Sequence, residues 1–145
     1  MDIYVSKELR RFNHLLGEIN GVYHEAAVKL GLSDSAMSVL YTLCSEGDPC
    51  PLHEIVRQSG VSKQTINSAI RKLEGEGIVL LEAAGGRGKN VRLTEQGREL
   101  TRRTAVPLIE LEDGIYASWS REELRTYLEL TGRFAAALKE KVKRL

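Results

Sequence analysis

Cysteine is scarce. Only Cys44 and Cys50 occur in 145 residues, too few for a disulfide framework, and a reducing compartment keeps both as thiols. His14, His24 and His53 are scattered, His53-Glu54 is not a zinc-helix motif, and the two cysteines lack metal-ligand spacing, so no metal site is expected. Long apolar runs are missing too. The longest, such as Ile78-Val79-Leu80-Leu81, falls far short of the ~20 residues that span a bilayer. The opening Met1-Asp2-Ile3-Tyr4-Val5-Ser6-Lys7-Glu8 reaches charge too soon for a signal peptide. These absences predict a soluble cytoplasmic chain with no membrane partner. No phosphate loop, Gly-x-Ser-x-Gly elbow or Rossmann glycine pattern is present, and Gly85-Gly86-Arg87-Gly88 joins two strand-like runs rather than a strand and a helix. No catalytic constellation and no cofactor site follow from the residues, so the chain is not expected to be an enzyme. Charge of one sign is absent overall, with 21 Lys+Arg against 20 Asp+Glu.

What is present is 42% hydrophobic residues, enough for one domain, or two small units, with a packed core. From Ser6 to about Leu30, Leu9, Phe12, Leu15, Leu16, Ile19, Val22, Tyr23, Ala26 and Ala27 recur at steps of three and four, the stripe of a long amphipathic helix that Gly31 closes. Ser33 or Asp34 caps a second helix with Ala36, Val39, Leu40, Leu43 and Cys44 inward. Gly47 to Pro51 reads as a turn that leaves Cys50 near solvent. Pro51 fits the first turn of a short third helix running through Ser59.

Ser62 caps a fourth helix, buried through Ile66, Ala69, Ile70 and Leu73 and ended by Gly75 and Gly77. Strands follow at Ile78 to Glu82 or Ala83 and at Val91 to Leu93, around a basic glycine loop. Thr94 caps a long fifth helix carrying Leu100, Thr104, Leu108, Leu111, Ile115 and Trp119, kinked at Pro107. Ser120-Arg121-Glu122-Glu123 is a capping box opening a sixth helix with Leu124, Tyr127, Leu128, Thr131, Phe134, Ala135, Leu138 and Val142 inward. The expected class is mainly α (α+β): four helices, two strands, two helices.

The third and fourth helices, joined by Gln58-Ser59-Gly60-Val61-Ser62, have the layout of a helix-turn-helix, with the hairpin as a wing. Outward on the fourth helix stand Lys63, Gln64, Thr65, Asn67, Ser68, Arg71 and Lys72, with no acid among them. Amides and hydroxyls reach base edges, a guanidinium pairs bidentately with guanine, and lysine neutralises phosphate. Gln64, Thr65, Ser68 and Arg71 are the candidates for base contact, and Lys63, Asn67 and Lys72 for phosphate. Arg57 through Leu73 holds four cations and no anion, whereas Pro107 through Leu130 holds two arginines and six acids. The near-zero net charge therefore hides a polarised chain, positive where the motif lies.

Leu73-Glu74-Gly75-Glu76-Gly77-Ile78-Val79, with Arg87 in the loop and Val91-Arg92-Leu93-Thr94-Glu95-Gln96-Gly97 after it, resembles the MarR family of winged helix-turn-helix transcriptional regulators. The resemblance runs over essentially the whole chain. It implies a homodimer on a pseudo-palindromic operator on double-stranded DNA, with residues 1–32 and 95–145 as the helical dimerisation region and 33–94 as the DNA-binding domain. It also implies a wing whose arginine, matched by Arg87, enters the minor groove with Lys89 beside it. Family wings often carry an aspartate two positions before that arginine as a brace; Gly85 stands there. Many relatives release DNA on binding a small aromatic or lipophilic effector, for which Tyr23, His24, Met37 and Tyr41 are the candidates. Relatives that sense peroxides use a cysteine near the first helix, which this chain lacks.

Dimerisation is expected independently of the family. The apolar stripes of the first, fifth and sixth helices exceed what a small winged core can cover, and a second copy covers them; a single helical bundle burying them internally is the other arrangement. The expected function is a sequence-specific regulator, acting as a repressor. The alternatives are a protein-interaction adaptor and a small-molecule or redox sensor with weak DNA affinity.

Overall fold

Five hydroxyl side chains, Ser6, Ser33, Ser62, Thr94 and Ser120, cap helices in the computed structural model, which describes residues 2–145. Each accepts a hydrogen bond from the backbone N–H three residues on, satisfying a donor that the first helical turn leaves without a partner. The elements are α1 (Lys7–Lys29), α2 (Asp34–Glu46), β1 (Cys50–Pro51), α3 (Leu52–Ser59), α4 (Lys63–Gly75), β2 (Val79–Ala83), β3 (Lys89–Leu93), α5 (Glu95–Arg103), α6 (Ala105–Ala117) and α7 (Arg121–Val142). The expected fold class holds: helices dominate, with one small antiparallel sheet of order β1-β3-β2.

The chain divides into two compact units, one through Ile109 and one from Glu110 to Leu145. In the first unit, Val39, Leu40 and Leu43 of α2, Ile55 of α3 and Ile66, Ile70 and Leu73 of α4 form a core with Val79, Val91 and Leu93 of the sheet. β3 lies between its neighbours, with Val91 opposite both Leu81 and Cys50, and buries Val91 and Leu93. The second unit contains α7, opened by the expected capping box: Glu123 N–H donates to Ser120 Oγ (3.0 Å) and Ser120 N–H to Glu123 Oε1 (2.8 Å). Trp119 meets Tyr116 and Tyr127 edge-to-face, at centroid distances of 5.5 and 5.2 Å.

Four local expectations are corrected. Pro51 is not in the first turn of α3; with Cys50 it forms β1, paired to Val91 and Asn90, and α3 begins at Leu52. An edge strand suits proline, which has no N–H to give to a ladder. Cys50 is consequently buried rather than near solvent. The expected fifth helix is two, α5 and α6, separated at Thr104 (φ −126°, ψ −83°). The break falls at Thr104 rather than at Pro107 because a proline ring collides with the carbonyl four residues before it, here that of Arg103, the last residue of α5. The second strand starts at Lys89 rather than Val91, which puts Lys89 on β3 rather than in the loop.

The long apolar stripe of α1 does not enter this core. Ala27 is its only buried residue among those described, and Leu9, Phe12, Leu15, Leu16, Ile19 and Val22 are exposed. On α7, Tyr127, Leu128, Phe134, Leu138 and Val142 are exposed.

Gly97 locks the hairpin to α5. The Ile78 carbonyl accepts from Thr94 N–H (3.0 Å) and Thr94 Oγ1 (3.0 Å), drawing the first turn of α5 onto the start of β2. A Cβ at Gly97 would collide with that carbonyl and crowd Leu93 Cδ2 at 3.1 Å. Gly97→Ala should therefore lower stability by about 1–3 kcal/mol, the usual scale of overpacking, seen as a lower denaturant midpoint with unchanged slope. An unchanged midpoint would mean that α5 moves away without cost.

Both cysteine thiols have pKa values raised above the ordinary range. At Cys44, burial is the main cause; the Asp48 charge adds to it and a Thr101 hydrogen bond works against it. At Cys50, burial again leads, followed by the charges of Glu54 and Glu46. The thiolate is the reactive form, so both positions are unfavourable for peroxide chemistry. In the native protein near neutral pH, maleimide should label both at least about tenfold more slowly than in denaturant; equal rates would restore a redox role.

Candidate nucleic-acid interface

Gly60 makes the turn between α3 and α4. Its φ of +65° is the left-handed conformation that glycine enters without a Cβ clash. Ser59 Oγ then accepts from Val61 N–H (3.1 Å), and Ser62 starts α4 by accepting from Thr65 N–H (3.2 Å). The core holds Ile66, Ala69, Ile70 and Leu73 on one side of α4. At 3.6 residues per turn, that fixes the opposite side: Lys63, Gln64, Thr65, Ser68, Arg71 and Lys72 are exposed, and Asn67 is half-buried. All seven candidates of the fourth helix thus lie on one helix. Thr65 is partly committed, because its Oγ1 accepts from Ser62 Oγ at 2.8 Å.

The basic side chains sort into two classes. Arg57 donates through Nη2 to Glu54 Oε1 (2.6 Å), and this hydrogen bond, followed by one from Gln58, holds the Glu54 carboxyl below the usual carboxylate range. Arg92 donates through Nε and Nη2 to Glu82 Oε1 (3.0 and 2.8 Å), and depresses the Glu82 pKa in the same way. Arg98 lies 3.7 Å from Asp48, whose Oδ1 also accepts from Leu93 N–H (3.0 Å). Lys63, Arg71, Lys72, Arg87 and Lys89 have no carboxylate within ion-pair distance among the described residues. These five cations are turned to solvent on α4 and the wing, ready to meet an external anion.

Arg87 sits in the exposed loop joining β2 to β3. The brace missing at Gly85 has a counterpart lower on the wing: the Glu82–Arg92 pair crosses between β2 and β3, a diagonal of the register that sets Glu82 opposite Asn90 and Leu80 opposite Arg92. The residues in sequence carry no sign of this contact until the register is known.

The effector candidates are spread differently. Met37 is buried in the core and Tyr41 packs half-buried against it. Tyr23 is exposed on α1, and His24 Nδ1 lies 2.9 Å from both carboxylate oxygens of Asp34, linking α1 to the start of α2. A cleft of about 520 Å³ between the 31–36 turn, α4 and Leu100 is lined by other residues, among them Ser33, Gln64, Ser68 and Lys72.

Residues 30–89 match the sequence profile of the MarR family. No curated protein matches by sequence. Among solved structures, NMB1585, a MarR family regulator from Neisseria meningitidis, is similar at 19% identity with a TM-score of 0.83, over 96% of this chain and 99% of that one. A MarR family transcriptional regulator from Silicibacter pomeroyi is similar at 23% identity and TM-score 0.72, over 90% and 89%. MarR from Staphylococcus aureus, solved in complex with salicylate and kanamycin, is similar at 15% identity and TM-score 0.68, over 92% and 91%. The chain thus has the winged-helix fold of the MarR family regulators and, through residues 30–89, the sequence pattern of that family.

Proposed function

We propose that this protein is a transcriptional regulator of the MarR type that binds double-stranded DNA sequence-specifically and represses by covering a promoter. The observation that carries the reading is the exposed face of α4 from Lys63 to Lys72, free of acids ahead of Glu74 in the last turn, presented by a helix-turn-helix and flanked by a wing whose Arg87 and Lys89 have no carboxylate partner among the described residues. Gln64, Thr65, Ser68 and Arg71 would read base edges in the major groove, Lys63, Asn67 and Lys72 would hold phosphates, and Arg87 would enter the minor groove. An adaptor for an acidic protein has no comparable use for the amides and hydroxyls among these cations.

The protein would act as a homodimer. The exposed apolar faces of α1 and α7 support this, since soluble monomers rarely leave contiguous apolar patches larger than a few hundred Å² in water. Two copies related by a two-fold axis would set two α4 helices on half-sites about one DNA turn apart, ~34–36 Å. A small aromatic or lipophilic effector, engaged through Tyr23, His24, Met37 and Tyr41, would regulate the complex by favouring a different half-site spacing. Support comes from the similar Staphylococcus aureus protein, whose solved structure contains salicylate.

Selection from a random double-stranded DNA pool should recover an inverted repeat with half-sites one turn apart; no enrichment by the folded protein would reject the DNA reading and favour the adaptor. Arg71→Ala should weaken operator binding by about 1–3 kcal/mol and relax the preference at one base pair per half-site. Lys72→Ala should weaken all sequences alike and lower the salt slope by about 0.9 per protomer. Light scattering should give twice the 16.2 kDa chain mass, and Leu128→Glu, on the exposed face of α7, should shift that mass towards one chain.

A further inference from the structure

Beside the α4 face lies a smaller cleft, of about 210 Å³, that the base-reading residues do not use. Three elements build it: Leu52, His53 and Val56 from α3, Lys63 from the start of α4, and Gly88 and Lys89 from the wing. Its apolar side is Leu52 and Val56, both half-buried against the core, and its polar groups are one imidazole and two ammonium groups. A nucleic-acid backbone has the same two-part chemistry, an apolar sugar carrying an anionic phosphate. We propose that this cleft holds one deoxyribose-phosphate unit of the DNA backbone, with the sugar against Leu52 and Val56 and the phosphate under His53, Lys63 and Lys89.

The surrounding charges favour an incoming anion. Lys63 and Lys89 have no carboxylate partner among the described residues. Of the acids on neighbouring elements, Glu54 on α3 is held by Arg57 and Gln58, and Asp48 after α2 by Arg98 and Leu93 N–H. Glu46, at the end of α2, exerts its field on Arg57 and Cys50. His53 is exposed at the rim, and an imidazole, unlike the ammonium groups of the two lysines, becomes a cation only on taking up a proton. Protonated His53 would give the phosphate a third cation; neutral His53 would leave it two. Affinity for DNA should therefore rise as pH falls.

This assignment rests on the DNA-binding reading above, and one experiment separates the two. Operator affinity is measured against salt at about pH 6 and pH 8, for the wild type and for His53→Gln, whose amide donates a hydrogen bond but carries no charge. The wild type should bind about three- to tenfold more tightly at the lower pH, with a salt slope steeper by up to about 0.9 per protomer. His53→Gln should lose both effects. A wild type that binds its operator without this pH dependence, or a variant that retains it through His14 or His24, overturns the cleft assignment alone. No binding to any DNA at either pH overturns the DNA reading and the assignment together. Replacing chloride by inorganic phosphate at matched ionic strength is the third arm. Phosphate binding that removes the pH effect without weakening the complex at the higher pH would assign the cleft to a free anion and overturn its assignment to the DNA backbone.

Discussion

Ile66, Ala69, Ile70 and Leu73 are held against α2 and α3, and most of what the helix-turn-helix presents to solvent follows from that burial. A helix has no freedom to rotate once one stripe is packed, because its side chains repeat every 3.6 residues. Fixing the inner four residues fixes the direction of Gln64, Ser68, Arg71 and Lys72 without any contact to those side chains. At roughly 1.5–3 kcal/mol for each large apolar side chain fully buried, the stripe outweighs the preferences of the polar face several-fold. The Ser62 cap and the Gly60 turn then define where the rigid face begins.

The polar contacts around this core are economical in their partners. Asp48 receives Leu93 N–H and faces Arg98; Glu54 takes Arg57 and Gln58; Glu82 takes both nitrogens that Arg92 offers. These three anions are thereby engaged, whereas Lys63, Arg71 and Lys72 of α4 and Arg87 and Lys89 of the wing have no carboxylate partner among the described residues. Surface ion pairs add little to stability, typically 0–1 kcal/mol each. Their larger effect here is on the field, because an engaged carboxylate competes poorly with phosphate for the remaining lysines and arginines.

How much of this could be read in the residues depended on sequence distance. The helix starts were legible because a cap joins positions three apart, and the α4 face was legible because helical periodicity is local. β1 was not, since Cys50 and Pro51 gain their strand character only from Val91 and Asn90, about 40 positions away. Proline on both sides of Cys50 suggested a turn, and only the sheet buries its thiol. Pro107 was visible, but its steric conflict falls on Arg103, which displaced the break. The stripes of α1 and α7 were legible as apolar because helical periodicity is local. Glu82–Arg92 and the His53 cleft depend on hairpin register and on the approach of three separate elements, which no local pattern encodes.

The division of α4 into a packed stripe and an exposed face also bears on how such a protein diversifies. Gln64, Ser68 and Arg71 contribute little to the core, so exchanges among them should cost little folding energy, as is usual for surface substitutions away from caps and buried contacts. If α4 reads DNA as proposed, new operator preferences would arise by one or two changes at a time, each intermediate still folding. The four buried positions and Ser62 have no such latitude. Within a single thirteen-residue helix, the residues proposed to specify the target can drift while those that position the helix are held fixed.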